Sequence, residues 1–119
     1  MKKLNKEIGD LGERFVSELL INRNYYIFEN NFICNIGEID IIARKDDYLC
    51  FIEVKSRYSL KYGTPCEAID YYKQRKIKKI AQFFIMKNNL HNYIYRFDIA
   101  EVIFSGNGDY IINYIENAF

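Results

Sequence analysis

The stretch GEIDIIARKDDYLCFIEVK, residues 37–55, decides how the chain is read. Two runs of branched and aromatic residues, Ile39 to Arg44 and Tyr48 to Val54, flank Asp46-Asp47 and predict a β-hairpin. A turn on those two aspartates pairs residues whose numbers sum to 93. One face then sets Ile39 opposite Val54, Ile41 opposite Ile52 and Ala43 opposite Cys50, all apolar as a core surface requires. Side chains alternate along a strand, so the other face carries Ile42 with Phe51, Asp40 with Glu53, and Glu38 with Lys55.

The elements around this hairpin follow from periodicity. Ile8, Leu11, Phe15, Leu19 and Leu20 recur at three- and four-residue steps, which predicts a helix over roughly 5–22 with one buried stripe. Tyr25 to Phe32 reads as a strand preceding the hairpin, giving a three-stranded meander. Thr64-Pro65-Cys66-Glu67 offers a threonine N-cap, a proline at the first helical position and a glutamate at the third, so a second helix is expected to start there. Ile69, Ile77, Ile80 and Phe84 supply its apolar stripe to about residue 87. Tyr93 to Phe104 and Tyr110 to Ile115 are strands joined across Ser105-Gly106-Asn107-Gly108-Asp109. The order α-β-β-β-α-β-β and the one-sided helices predict an α/β (α+β) architecture, a central mixed sheet of about five strands flanked by helices.

Composition bounds the rest. At 119 residues and 14.3 kDa, a single domain over 1–119 is expected. Half of the residues are hydrophobic, enough for a core. The longest apolar runs, such as Phe83 to Met86, fall far short of the roughly 20 residues that span a bilayer, so no membrane partner is expected. Glu7, Asp10 and Glu13 stand where the apolar stretch of a signal peptide would lie, and a cytoplasmic location is expected. Cys34, Cys50 and Cys66 form neither a C-x-x-C pair nor an even set, and with His91 as the one histidine they read as reduced packing residues.

Asp40 opposite Glu53 needs an explanation, because like charges paired across a sheet destabilise it. One reading is a site for a hard divalent cation, which accepts one or two carboxylates and leaves positions for substrate oxygens. Lys55, two residues after Glu53, then positions an attacking water or stabilises charge on a phosphoryl oxygen. The other reading is an ordinary half-solvated face on which Lys55 neutralises its neighbours. Spacing alone leaves both standing. Gly9 and Gly12 lower helix propensity, and close approach of the first helix to the sheet explains them; that approach brings Glu13 toward Asp40.

Gly9-x-x-Gly12-Glu13, Gly37-Glu38-Ile39-Asp40-Ile41-Ile42-Ala43, Phe51-Ile52-Glu53-Val54-Lys55-Ser56-Arg57, Gly63-x-Pro65 and Arg96-Phe97-Asp98 together resemble the YraN-like bacterial family, over about residues 5–104. That family is grouped with the PD-(D/E)xK, restriction-endonuclease-like nucleases and is similar to archaeal Holliday-junction resolvases. The resemblance implies a restriction-endonuclease-like fold and a Mg²⁺- or Mn²⁺-dependent endonuclease acting on DNA, branched DNA included. It makes Asp40 and Glu53 the metal ligands together with the Val54 carbonyl, Lys55 the catalytic lysine and Glu13 an outer carboxylate of the site. A homodimer is expected on the same ground, since the similar resolvases are two-fold dimers.

Charge distribution points to a polyanion independently. From Lys55 to Lys79 the chain carries eight basic residues against two acidic ones, net +6, while the remainder carries nine against fourteen, net −5. Arg57, Lys61, Lys73, Arg75, Lys76 and Lys79 are the expected phosphate contacts, which carry affinity without sequence information. A competing reading is a non-catalytic nucleic-acid-binding protein using the same basic segment, and a third is a protein-interaction module presenting exposed tyrosines. Arg96 and Asp98, alternating onto one face, are read as a structural salt bridge.

Overall fold

The computed structural model describes residues 2–58 and 69–119, and the side chains of the first helix from Lys6 onward. Lys61, Tyr62 and the Thr64-Pro65-Cys66-Glu67 signal lie outside the described residues. The elements are α1 (Lys2–Asn22), β1 (Tyr26–Ile33), β2 (Glu38–Lys45), β3 (Tyr48–Tyr58), α2 (Tyr71–Asn88), β4 (Ile94–Phe104) and β5 (Tyr110–Ile115). This is the expected α-β-β-β-α-β-β order, a mixed α/β fold.

The five strands lie in the sheet in chain order. All neighbours are antiparallel except β3 and β4, which run parallel from Tyr48–Ile94 to Tyr58–Phe104. A parallel pair needs a crossover, and α2 supplies it. The hairpin register is the expected one, with Ile41 opposite Ile52, Ile42 opposite Phe51 and Ala43 opposite Cys50. Asp46 takes the left-handed conformation at its turn, with φ 53°, a backbone region that aspartate tolerates better than most residues.

Each helix covers one face. On the α1 face, Ile8, Val16 and Leu20 pack with Ile41, Ala43, Cys50, Ile52, Ala100 and Val102. On the α2 face, Ile77, Ile80, Ala81, Phe84 and Ile85 pack with Phe32, Ile39, Ile42, Leu49 and Phe51. Each such aliphatic side chain, fully buried, contributes roughly 1.5–3 kcal/mol.

Three expectations need correction. The buried stripe of α1 is Ile8-Gly12-Val16-Leu20 at strict four-residue spacing, while Leu11 is exposed. Gly12 belongs to that stripe because a Cβ there would fall 1.8 Å from Ser56 Oγ on β3, whereas around Gly9 nothing stands within 4 Å. α2 begins at Tyr71, with Asp70 as its N-cap accepting from the Lys73 amide at 2.8 Å, so Thr64-Pro65-Cys66-Glu67 is not its start. Finally, Ile39 packs on the α2 face, opposite the face that strict alternation with Ile41 assigns it. Its β1 partner Phe32 packs there too, one residue after Asn31 at φ 57° and two after Asn30, whose side chain meets Ser17 of α1. Alternation thus breaks in both strands, beside the left-handed Asn31 in β1 and between Ile39 and Ile41 in β2.

Cys50 is a buried free thiol, and Cys34 is free and half-buried. Among the described residues no helix is long and apolar enough to cross a membrane.

Candidate active site

The ladder between β2 and β3 extends from Lys45–Tyr48 to Ile41–Ile52. Just beyond it, the Val54 amide donates to Asp40 Oδ2 at 2.8 Å. A side-chain carboxylate has taken the place of a backbone acceptor, so the strands part and Asp40 sits in the opening between the two faces. From that place it is within hydrogen-bonding reach of Glu13 on α1 and of Glu53 on β3. Gly12 is what lets α1 lie close enough for its next residue to arrive. The structure therefore brings Glu13, Asp40, Glu53 and Lys55 together, but by a different route from the one read in the hairpin. The pairing of Asp40 with Glu53 is a meeting of side chains past the end of the ladder.

The electrostatics are those of crowded, poorly hydrated charges. Burial is the main force pushing the Asp40 carboxyl up to about 6, opposed by the Val54 amide and reinforced by Glu13. Burial first and Asp40 second raise Glu53, and burial raises Glu13. On the cationic side, burial and then the neighbouring Lys73 lower the Lys55 ammonium. Burial works against Lys73 as well, but Glu53 outweighs it and the net direction is upward. Lys73 Nζ lies 3.0 Å from Glu53 Oε2, on a carboxylate only 7% exposed.

These groups open into a cleft of about 530 Å³ lined by Asp40, Glu53, Val54, Lys55, Lys73 and Lys76, with the N-terminus of α2 at its rim. Glu13 lines an adjoining hollow that shares Glu38 and Val54 with the cleft. Gly37 admits α2 to this rim: its φ is +155°, and a Cβ there would lie 2.9 Å from Lys76 Cε and 3.2 Å from Ile80 Cδ1.

The expected phosphate contacts divide into two groups. Arg75, Lys76 and Lys79 line a second hollow of about 380 Å³, next to the cleft and sharing Tyr72 with it. Arg57 instead points to Glu101, at 2.8 Å, and Lys73 to Glu53. Sequence reading takes Lys73 only as a phosphate contact on the second helix; the cap at Asp70 puts it in the first turn, where its side chain reaches the cleft and Glu53. An aspartate three residues before a lysine was the available signal.

The donor atoms are all oxygens, the ligands a hard cation such as Mg²⁺ or Mn²⁺ takes. Among the described residues no group of three or more His, Cys, Asp or Glu stands ready to hold a metal. What fits is the smaller set that Mg²⁺ commonly uses: Asp40 and Glu53, with the Val54 carbonyl expected as a third donor.

Fold and site together define a class, an α/β protein whose mixed sheet is covered by one helix on each face and parts around the buried Glu53 and the half-buried Asp40, Lys55 and Lys73. Within it, the chain belongs to the uncharacterised protein family UPF0102, the YraN family, which it matches over residues 12–102. That match spans Glu13, Asp40, Glu53, Lys55 and Lys73. The chain is 48% identical to a UPF0102 protein of Clostridium acetobutylicum, 46% to one of Clostridium tetani and 49% to one of Clostridium botulinum. In each case the similarity covers 100% of this chain and 98% of the relative.

Proposed function

We propose that this protein is a divalent-metal-dependent endonuclease hydrolysing DNA phosphodiester bonds. The observation that carries the reading is Asp40: a carboxylate held in the gap between two parted strands by the Val54 amide, crowded by Glu13 and Glu53, and beside two lysines. Crowding of this kind costs stability and is relieved by a cation. Asp40, Glu53 and the Val54 carbonyl would hold Mg²⁺ or Mn²⁺, and a bound cation supplies Lewis acidity at the scissile phosphate. Lys55, half-buried in the same cleft, donates to the phosphoryl oxygens where charge develops or orients the attacking water. Glu13, through Asp40, keeps the ligand carboxylate in its orientation. Arg75, Lys76 and Lys79 hold the flanking backbone.

The test is a panel of linear, single-stranded and four-way-junction DNA incubated with pure protein, with and without Mg²⁺ or Mn²⁺. Metal-dependent strand cutting is expected, lost by at least about a hundredfold in Asp40→Asn and Glu53→Gln with DNA binding retained. Equal cutting by these variants overturns the assignment. Preferential cutting of the junction, by a dimer in sedimentation, extends the reading to branched DNA.

A second reading, a non-catalytic nucleic-acid-binding protein, draws support from Glu53 being already neutralised by Lys73. It predicts affinity that falls steeply with salt and no metal-dependent turnover on any member of the panel.

A further inference from the structure

Lys73 occupies a position that helix stability does not explain. It is in the first turn of α2, which has no acidic residue, although a helix N-terminus favours anions and disfavours cations. Its backbone is fixed, since its amide is the one that Asp70 caps. Its side chain, 41% exposed, bends to Glu53 Oε2 at 3.0 Å, inside the cleft that also holds Asp40 and Lys55. A cation is therefore already seated on one of the two carboxylates assigned to the metal.

We propose that Lys73 is a built-in counter-ion of the site: its ammonium holds Glu53 while no divalent cation is present, and moves to a phosphate oxygen of the bound DNA when the cation takes the carboxylate. The inference rests on the nuclease reading above and adds to it a residue with two partners. Two features make the exchange favourable. Lys55 and Lys73 are close enough to interact directly, and they tolerate each other because Asp40 and Glu53 stand with them. A divalent cation on those carboxylates leaves the two ammonium groups repelling each other and the cation. The residue placed to move is Lys73, whose side chain is 41% exposed at the rim of the cleft and is carried on a flexible four-carbon stem. Its outward path leads along the rim toward Lys76 and Tyr72, where the second hollow presents Arg75 and Lys79 to the DNA backbone.

The decisive measurement is Mn²⁺ affinity by titration calorimetry on the full chain, alongside DNA cleavage at saturating Mn²⁺. Lys73→Met removes the competing charge but keeps the length of the stem. It should bind Mn²⁺ about tenfold more tightly than the wild type, yet cut DNA about tenfold more slowly. Lys73→Gln, which retains a hydrogen bond to Glu53, should show the same opposition and serves if the methionine variant folds poorly. Lys73→Arg, which keeps the charge, should stay within about twofold of wild-type Mn²⁺ affinity. Unchanged or weaker Mn²⁺ binding in both neutral variants overturns the inference while leaving the nuclease reading in place. Absence of Mn²⁺ binding in the wild type overturns the nuclease reading, and this inference with it.

Discussion

The sheet carries two ionic clusters at neighbouring levels, and the two have opposite character. In one, Asp98 on β4 is 0% exposed and fully served. It accepts from Arg96 Nε and Nη2, from the Tyr114 hydroxyl at 2.6 Å and from the Asn117 amide at 2.9 Å, while Arg96 Nη2 also reaches the Tyr25 hydroxyl at 2.7 Å. In the other, Asp40 has one backbone donor, with two carboxylates and the half-buried Lys55 and Lys73 for company. Both positions look alike in sequence, an aspartate inside an apolar strand with a basic residue nearby. What separates them is satisfaction of the charge. The Asp98 cluster ties Tyr25, just before β1, to β4, β5 and the residues that follow β5, and Arg96 is raised well above its ordinary range because Asp98 and Tyr25 outweigh its desolvation. A carboxylate so completely paired has nothing left to offer a ligand. The Asp40 cluster holds its carboxylates against their own repulsion, and that unspent interaction is available to a cation.

The largest effect expected from this contrast is in the Asp98 cluster. Asp98→Ala leaves the buried Arg96 only the more exposed Glu116, at 3.6 Å, and the Tyr25 hydroxyl, and strands the Tyr114 hydroxyl and the Asn117 amide. A loss of roughly 3–5 kcal/mol is expected, seen as a fall of more than about 10 °C in the melting temperature. A variant melting within about 3 °C of the wild type would mean that the two clusters are not different in kind.

Removing the charge of Asp40 should act in the opposite direction. Asp40→Asn keeps an oxygen to accept from Val54 but removes the charge. Because the folded-state carboxyl is pushed up to about 6 from 3.8, the native protein holds this proton more firmly than the unfolded chain does. The stabilisation that this gives is present at low pH and is lost as pH rises through the interval from about 4 to about 6. At neutral pH the ionised Asp40 therefore costs on the order of 2–3 kcal/mol, at about 1.4 kcal/mol per pKa unit. The asparagine variant should melt higher than the wild type at pH 7 and lose that advantage below about pH 4. Thermal unfolding across pH 3.5–7.5 checks this, and a variant less stable than wild type at pH 7 breaks the comparison. Mn²⁺ should raise the melting temperature of the wild type and leave that of Asp40→Asn unmoved.

The sequence made part of this contrast legible. The register of Ile41 on Ile52 and of Ala43 on Cys50 follows from alternation, because a buried face tolerates no slip. Arg96 with Asp98 was readable as a salt bridge because both lie on one strand, two residues apart. The site was less legible, since its geometry begins where the ladder ends. Alternation cannot show that Asp40 turns its side chain to the Val54 amide, nor that Ile39 changes face. The contact of Lys73 with Glu53 was hidden by the helix start, because the Thr64-Pro65 signal outranks a lone Asp70 when only local chemistry is weighed. Gly9 and Gly12 looked equivalent on propensity, and only the position of Ser56 on another element distinguishes them.

That last distinction yields the smallest and cleanest prediction. Gly12→Ala places a Cβ 1.8 Å from Ser56 Oγ and 3.1 Å from Ser56 Cβ, so α1 has to lift from β3 or the serine has to turn. Overpacking of this sort costs roughly 1–3 kcal/mol, against which the better helix propensity of alanine returns about 1 kcal/mol. A net destabilisation of up to about 2 kcal/mol is expected. Gly9→Ala meets nothing within 4 Å and should stabilise by about 0.5–1 kcal/mol through propensity alone. Chemical denaturation resolves differences of this size. Adding Ser56→Gly to Gly12→Ala removes the obstructing atoms and should recover most of the packing loss, less the roughly 0.5–1 kcal/mol that a strand glycine costs. Lifting α1 also carries Glu13 away from Asp40, so Gly12→Ala should weaken Mn²⁺-dependent cutting and the double variant should restore it, whereas Gly9→Ala leaves cutting untouched. Equal behaviour of the two alanine variants would show that the approach of α1 to β3 does not place Glu13.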